Sequence, residues 1–279
     1  MSTTDERLRN WIAGHHRVFA LTGAGCSTAS GIPDYRDDEG GWKRRPPVMI
    51  QAFRAQDAVY RRYWARAYAG WPHLTAAAPN AAHHAFAAWE AAGTLVQLVT
   101  QNVDGLHQRA GSRTVIDLHG RLDVVVCLGC GDQTSRDSVQ EAMAAANPRW
   151  RTEAATAPDG DADVEASVIG SFAAPRCERC SGLLKPDVVF FGENVPRDRY
   201  ERAREALAGA DALLVAGSSL MVYSGFRFAR MAHEAGLPIA IVNRGRTRGD
   251  DLAGLKVEHD LGSTLTAAVG SMTQALRQD

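Results

Sequence analysis

An apolar run, Val18–Leu21, leads almost directly into Gly23-Ala24-Gly25. A short strand feeding a glycine turn opens the first βα unit of a dinucleotide-binding sheet, because only glycine lets the backbone come close to a pyrophosphate there. Few folds begin this way. The third glycine of G-x-G-x-x-G is nevertheless missing, with Thr28 in its place, and a polar loop ending in Pro33-Asp34-Tyr35-Arg36 follows. The turn alone does not explain that loop.

Similar apolar runs recur at Leu95–Val99, Val115–Leu118, Val188–Phe191, Ala212–Val215 and Ile239–Val242, with helical stretches between them. The alternation predicts an α/β fold with a Rossmann-like, doubly wound parallel sheet and helices on both faces. One helix is expected from about Asn80, as N-cap, to Ala91, with Gly93 just past its end; another runs from Arg199 to Ala208. With 279 residues, 45% of them hydrophobic, the chain can bury one large core and a satellite.

Two regions break the alternation: an aromatic and basic helical stretch in residues 44–75 and a cysteine-bearing stretch in residues 121–184. Both are read as a smaller inserted domain, helical and zinc-binding, leaving 1–43, 76–120 and 185–279 to the nucleotide-binding domain. The acidic segment TAPDGDADVEAS near residues 150–170 has little to bury and is expected to be mobile.

A net charge of −1 offers no basic face, which argues against nucleic acid as the main partner. No apolar stretch is long enough to span a bilayer, and Met1–Glu6 lacks the basic and apolar regions of a secretory signal, so a cytoplasmic protein with no membrane partner is expected. A monomer is expected as well.

Cys127-Leu128-Gly129-Cys130 and Cys177-Glu178-Arg179-Cys180 hold four of the five cysteines as two C-x-x-C pairs. In a reducing compartment such knuckles supply four thiolates for tetrahedral Zn²⁺, one ion per chain. A full set of thiolates leaves no position for water, so the metal is structural. Cys26 stands alone in the glycine turn, either as a small packing residue or as a nucleophile, and no activating group is evident.

Ligands of open α/β sheets bind at the carboxyl ends of strands. Three polar clusters fall there: Gln101-Asn102-Val103-Asp104 after Val99, His119-Gly120 after Leu118, and Gly217-Ser218-Ser219 after Val215. His119 can take a proton near neutral pH. His15, His16, His83, His84 and His107 lie on helical or capping stretches and read as packed or solvated residues.

Taken in order, G-A-G-C-S with S-G-I-P-D-Y-R, T-Q-N-V-D, H-G at 119, the paired C-x-x-C, K-P-D-V-V-F-F-G-E, G-S-S-L and V-N-R-G resemble the sirtuins, the NAD-dependent protein lysine deacylases. Tyr35, Val103 and Ser218 replace the commoner Phe, Ile and Thr. The chain looks most like the class II branch that includes sirtuin 4, and an Ala- and Arg-rich composition without a leader points to a bacterial member.

The resemblance implies that NAD is consumed, not recycled. Gly23, Ala24 and Gly25 would let the backbone approach the pyrophosphate, and Ser27, Arg36 and Gln101 would contact the ribose and phosphates, while the loop through Pro33, Asp34, Tyr35 and Arg36 covers the nicotinamide ribose. Asn102 and Asp104, with the backbone of Val103, would twist the nicotinamide, and His119 would be the base. Gly217, Ser218 and Ser219 would bind the phosphate and adenosine side, with Asn243, Arg244 and Gly245 at the adenosine ribose and Leu261 against adenine. An acyl-lysine peptide would add as a strand along Val188, Val189, Phe190, Phe191 and Gly192. The products would be nicotinamide, free lysine and O-acyl-ADP-ribose.

Tyr63 and Arg66 lie three apart on one predicted helix face and resemble the Y-x-x-R pair with which some sirtuins read an acyl carboxylate. A solvated Arg beside a buried aromatic is the alternative. A longer or carboxylated acyl group is therefore expected over acetyl. The rival functions are mono-ADP-ribosyl transfer or NAD hydrolysis by the same site, and an NAD-sensing module without catalysis.

Overall fold

The computed structural model of the chain describes residues 4–43, 47–151, 155–156, 162–164 and 169–275. Its centre is a six-stranded parallel sheet built from β1 (Val18–Thr22), β2 (Leu95–Thr100), β3 (Val115–Asp117), β9 (Ala212–Ala216), β10 (Ile239–Val242) and β11 (Leu255–Val257). The spatial order is β3-β2-β1-β9-β10-β11, with β1 paired in parallel to both β2 and β9. Strand order therefore reverses between β1 and β9. That is where a doubly wound sheet opens a crevice.

β1 shows why the runs are continuously apolar: Val18 and Ala20 enter one core while Phe19 and Leu21 enter the other. Alternate side chains point to opposite faces, and helices cover both. One face packs against α1 (Thr4–Ala13), α4 (Ala81–Ala91) and the C-terminal helix Leu261–Ala275 through Leu8, Ile12, Phe86, Trp89 and Leu265. The other is covered by α7 (Arg197–Ala208) and α8 (Tyr223–Glu234) through Ala203, Leu207, Phe228 and Ala232. Asn80 caps α4 as expected, accepting from the amide of Ala82 at 2.9 Å.

The sequence reading placed Val188–Phe191 among the parallel strands, and the structure corrects it. Residues Leu184–Val188 form β8, which runs antiparallel to β4 (Gly120–Cys127) in a separate three-stranded sheet with β5 (Gln133–Ser135). The sixth parallel strand is instead the three-residue β11, too short to stand out as an apolar run. An isolated apolar run carries no information about its partner strand, and the inserted core won this one.

That core joins the small sheet to α2 (Ile50–Ala55), α3 (Asp57–Ala76) and α6 (Arg136–Ala146) through Phe53, Tyr60, Trp64, Val125, Met143 and Phe190. Tyr60 Oη donates to Pro175 O at 2.6 Å and accepts from Leu184 N at 3.1 Å, and Trp64 Nε1 donates to Leu184 O at 3.2 Å. Pro72 lies inside α3 and cannot bond the carbonyl of Tyr68; Gln140 Nε2 takes that oxygen at 3.0 Å. The expectation of a mobile acidic segment falls largely outside the described residues. Within it, Ala155–Thr156 pairs antiparallel with Ala162–Asp163.

Candidate active site

A cleft of about 840 Å³ opens at the carboxyl ends of the parallel strands and reaches the β8 segment. Its floor depends on glycine. Gly25 N donates to Gly217 O at 2.8 Å, and a Cβ on Gly217, at φ +60°, would sit 2.5 Å from Cys26 N. A Cβ on Gly23 would sit 2.8 Å from Ser218 Cβ. The turns after β1 and β9 thus interlock backbone to backbone, which the strand-and-turn pattern had credited to the ligand alone.

Above this floor Ser27, fully buried, donates to Asp104 Oδ2 at 2.7 Å and accepts from Asn102 Nδ2 at 2.9 Å. Asp104 Oδ1 also accepts from Leu106 N at 2.9 Å. Because the Asn102 amide nitrogen is committed to Ser27, its carbonyl oxygen is turned away from that hydroxyl. Gln101 Oε1 accepts from Ser218 Oγ at 2.7 Å, tying the β2 and β9 loops together.

His119 lies across the cleft, half-buried. Its Nδ1 donates to Gln101 O at 3.0 Å, so Nε2 is the unprotonated nitrogen, and there it accepts from Ser224 Oγ at 2.7 Å. Burial pushes its pKa down to about 4, with Arg227 and Arg199 adding to the effect. The ring is a neutral base at neutral pH. Gly120 beside it, at φ +82°, has no room for a Cβ, which would fall 1.8 Å from Asp187 O.

Of the residues expected to meet NAD, those in the glycine turn, Ser27, Asp34, Tyr35, Arg36, the 101–104 cluster, Gly217–Ser219, Asn243, Arg244 and Leu261 line the cleft. Arg36 stacks its guanidinium 3.5 Å from the Trp42 ring centroid. Pro33 and Gly245 are not among the lining residues. Gly245, at φ +72°, instead meets the Asp38 backbone, where a Cβ would lie 2.4 Å from Asp38 O. Val188–Gly192 lines the cleft, as does Tyr63; Arg66, from the same helix, does not.

Sequence reasoning missed Trp42, Ser224 and Arg227, all lining the cleft. No motif marks them; only the fold brings them to the site. It also left His83 and His107 apart, whereas both are fully buried beside Cys26. His107 Nε2 lies 3.0 Å from Thr22 Oγ1, and His83 Nδ1 accepts from Asn80 N at 3.2 Å. His83 Nε2 therefore carries hydrogen, which makes the trio a packed polar cluster and not a cation site. Burial raises the Cys26 thiol far above its ordinary pKa, so no thiolate forms there.

The other four cysteines converge. Cys127 and Cys180 Sγ lie 3.5 Å apart, Cys130 and Cys177 Sγ 3.7 Å, and all four atoms fall within 4.8 Å of one another. Both knuckles turn through a left-handed residue four places after the first cysteine, Gly131 and Ser181. The amides of Cys130 and Gly129 point at Cys127 Sγ and hold its pKa down to about 6. A Cβ on Gly182 would come within 3.0 Å of Cys127 Sγ. This donor set fits structural Zn²⁺, which would tie the end of β4 to the segment leading into β8 and leave no open coordination position.

Sheet order, glycine floor and a polar cleft at the switch point define a Rossmann-type dinucleotide-binding protein with an inserted four-cysteine module. The Sir2 family model matches residues 23–224. An NAD-dependent protein deacetylase of Xanthomonas campestris pv. campestris is 58% identical over 266 residues, covering 95% of this chain and 91% of the relative. NAD-dependent protein deacetylase 2 of Bradyrhizobium diazoefficiens is 58% identical over 91% of this chain and 93% of the relative. Among solved structures, a Sir2 complex with p53 peptide and NAD⁺ superimposes with a TM-score of 0.75 at 31% identity, covering 95% of this chain and 97% of that one. The chain belongs to the Sir2 family.

Proposed function

We propose that the chain is an NAD-dependent protein lysine deacylase that converts NAD and an acyl-lysine peptide into nicotinamide, free lysine and O-acyl-ADP-ribose. The observation that carries this reading is the neutral His119, its Nε2 bonded to Ser224 Oγ on the wall of a cleft that also holds the Asn102–Ser27–Asp104 network.

In this reading Asn102 and Asp104 hold and twist the nicotinamide, with Ser27 keeping both in register. Nicotinamide leaves as the acyl oxygen attacks the ribose carbon. His119 then removes a ribose hydroxyl proton, and the ribose oxygen attacks the acyl carbon; water adds there and the lysine amine leaves, giving free lysine and O-acyl-ADP-ribose. Gly217–Ser219 and Asn243–Arg244 serve the adenosine side, with Leu261 at the adenine.

The peptide strand would lie along Val188–Gly192. Val189 and Phe190 already spend their N–H groups on His119 O and the Glu193 carboxylate, so strand addition uses the remaining backbone groups. Tyr223 lines the cleft and Met49 bridges to Phe191; both are large apolar side chains left exposed, suited to a peptide. A class II deacylase acting as a cytoplasmic monomer completes the reading; no helix among the described residues is long and apolar enough to cross a membrane.

A longer or carboxylated acyl group remains the proposed preference, read by Tyr63 at the cleft. Arg66 would need a change in α3 to reach it. Products formed from NAD and acetyl-, succinyl- and glutaryl-lysine peptides, followed by mass spectrometry beside His119→Ala, test the function. Lysine peptide and O-acyl-ADP-ribose should appear together and vanish in the variant. Nicotinamide without lysine release, or a protein-bound ADP-ribose mass, would replace deacylation by hydrolysis or transfer. Acetyl leading in kcat/KM, with Arg66→Met leaving every ratio unchanged, would sink the acyl preference.

A further inference from the structure

His119 Nε2 does not face open solvent. Ser224 Oγ occupies its lone pair at 2.7 Å, and among the described residues no other group bonds that nitrogen. The direction of the bond is settled on the far side of the ring: Nδ1 gives its hydrogen to Gln101 O at 3.0 Å, so Nε2 accepts and Ser224 donates. Ser224 lines the same cleft as His119, and a hydroxyl that donates one bond can still accept another.

Resting on the deacylase reading, we propose that the Ser224 hydroxyl relays the proton of the second half-reaction from the ribose hydroxyl to His119. The ribose O–H bond breaks and its proton joins Ser224 Oγ. The original Ser224 proton passes to His119 Nε2 in the same movement. The ribose oxygen keeps the electron pair and attacks the acyl carbon. Ser224 ends as a neutral hydroxyl and His119 as an imidazolium, so the only net transfer is one proton from ribose to imidazole.

The surroundings suit charge that passes through oxygen. Ser224 stands in the first turn of α8, a 12-residue helix whose amino end favours negative charge. One turn on, Arg227 also lines the cleft, its guanidinium 4.7 Å from the Tyr200 ring centroid, and among the described residues its Nε has no hydrogen-bond partner and no carboxylate forms an ion pair with it. A cation and a helix terminus beside Ser224 stabilise its oxygen while it carries partial negative charge.

Ser224→Val and Ser224→Thr have nearly the same shape and differ by a methyl for a hydroxyl. The readout is the ratio of O-acyl-ADP-ribose formation to nicotinamide exchange into NAD, both measured with acyl-peptide, since exchange reports the first half-reaction and product formation the second. Ser224→Val should lower that ratio fivefold or more, and Ser224→Thr should restore it to more than half the wild-type value. Melting temperature and NAD binding check the fold, and Ser224→Ala is read in the same way should the valine variant not fold. A ratio falling less than fivefold overturns the relay. A ratio that rises makes Ser224 a competitor for the base, and a threonine variant as slow as valine makes the effect one of shape; either also overturns it. His119→Ala separates the two levels: an unchanged ratio there removes the base itself, and with it the deacylase reading.

Discussion

The amide of Gly25 bonds the carbonyl of Gly217 at 2.8 Å, so the turns after β1 and β9 are one backbone unit at the point where the sheet reverses. Gly217→Ala adds a Cβ 2.5 Å from Cys26 N at a left-handed φ of +60°. Strain of about 1–2 kcal/mol from the conformation alone, together with the clash, should displace the Gly23–Ser27 turn. We expect the melting temperature to fall by several degrees and the NAD dissociation constant, by calorimetry, to rise at least tenfold. Wild-type affinity in the variant would show that the two turns move independently.

Ser27 stands between Asn102 and Asp104, and Ser27→Ala leaves each short of a buried bond. Such losses cost about 1–3 kcal/mol, so nicotinamide release should slow by roughly 10- to 100-fold. Asn102→Ala added to it should cost less than the sum of the two, because both act through one network. Strict additivity in the double-mutant cycle would contradict that coupling.

Burial holds His83 down to about 4 and His107 to about 3. Both remain neutral in the fold while the unfolded chain protonates them near the ordinary 6.5, so their contribution is complete above that pH. It falls away progressively as pH drops from about 6.5, with up to two protons taken up on unfolding, and is gone once pH has passed through the folded values of about 4 and 3. Urea unfolding at pH 7.5, 6 and 5 should show His107→Gln with a shallower pH slope than the wild type, by about one proton. Parallel slopes would count against it, since carboxylates and cysteines are common to both proteins.

Removing zinc should unfold the inserted module, because its four thiolates bridge β4 to the segment that enters β8. Structural zinc contributes about 10–16 kcal/mol in small metal-dependent folds. One zinc per chain is expected by elemental analysis, and less than a tenth of that in Cys177→Ser. Cobalt in its place should give the thiolate charge-transfer bands of a tetrahedral site. A protein that retained its melting temperature after chelation would show that the Tyr60 and Trp64 bonds to Leu184 suffice without metal.

Local chemistry made much of this legible. The strand at Val18–Thr22, the Asn80 cap, the paired C-x-x-C knuckles and the polar clusters at strand ends each announce themselves within a few residues, because turn geometry, capping and thiolate spacing are short-range demands. The order of those signals along the chain carried the family. Partner choice was not legible. Val188 pairs with Gly120 in the small sheet, Leu255–Val257 completes the large one, Gly245 packs on Asp38, and Arg66 stays outside the cleft that Tyr63 enters. Ser224 meets His119 across 105 positions of chain. A residue's type and its neighbours determine which bonds it can make, but which group it meets follows from how two cores pack around one cleft, a balance of long-range burial that only the tertiary structure decides.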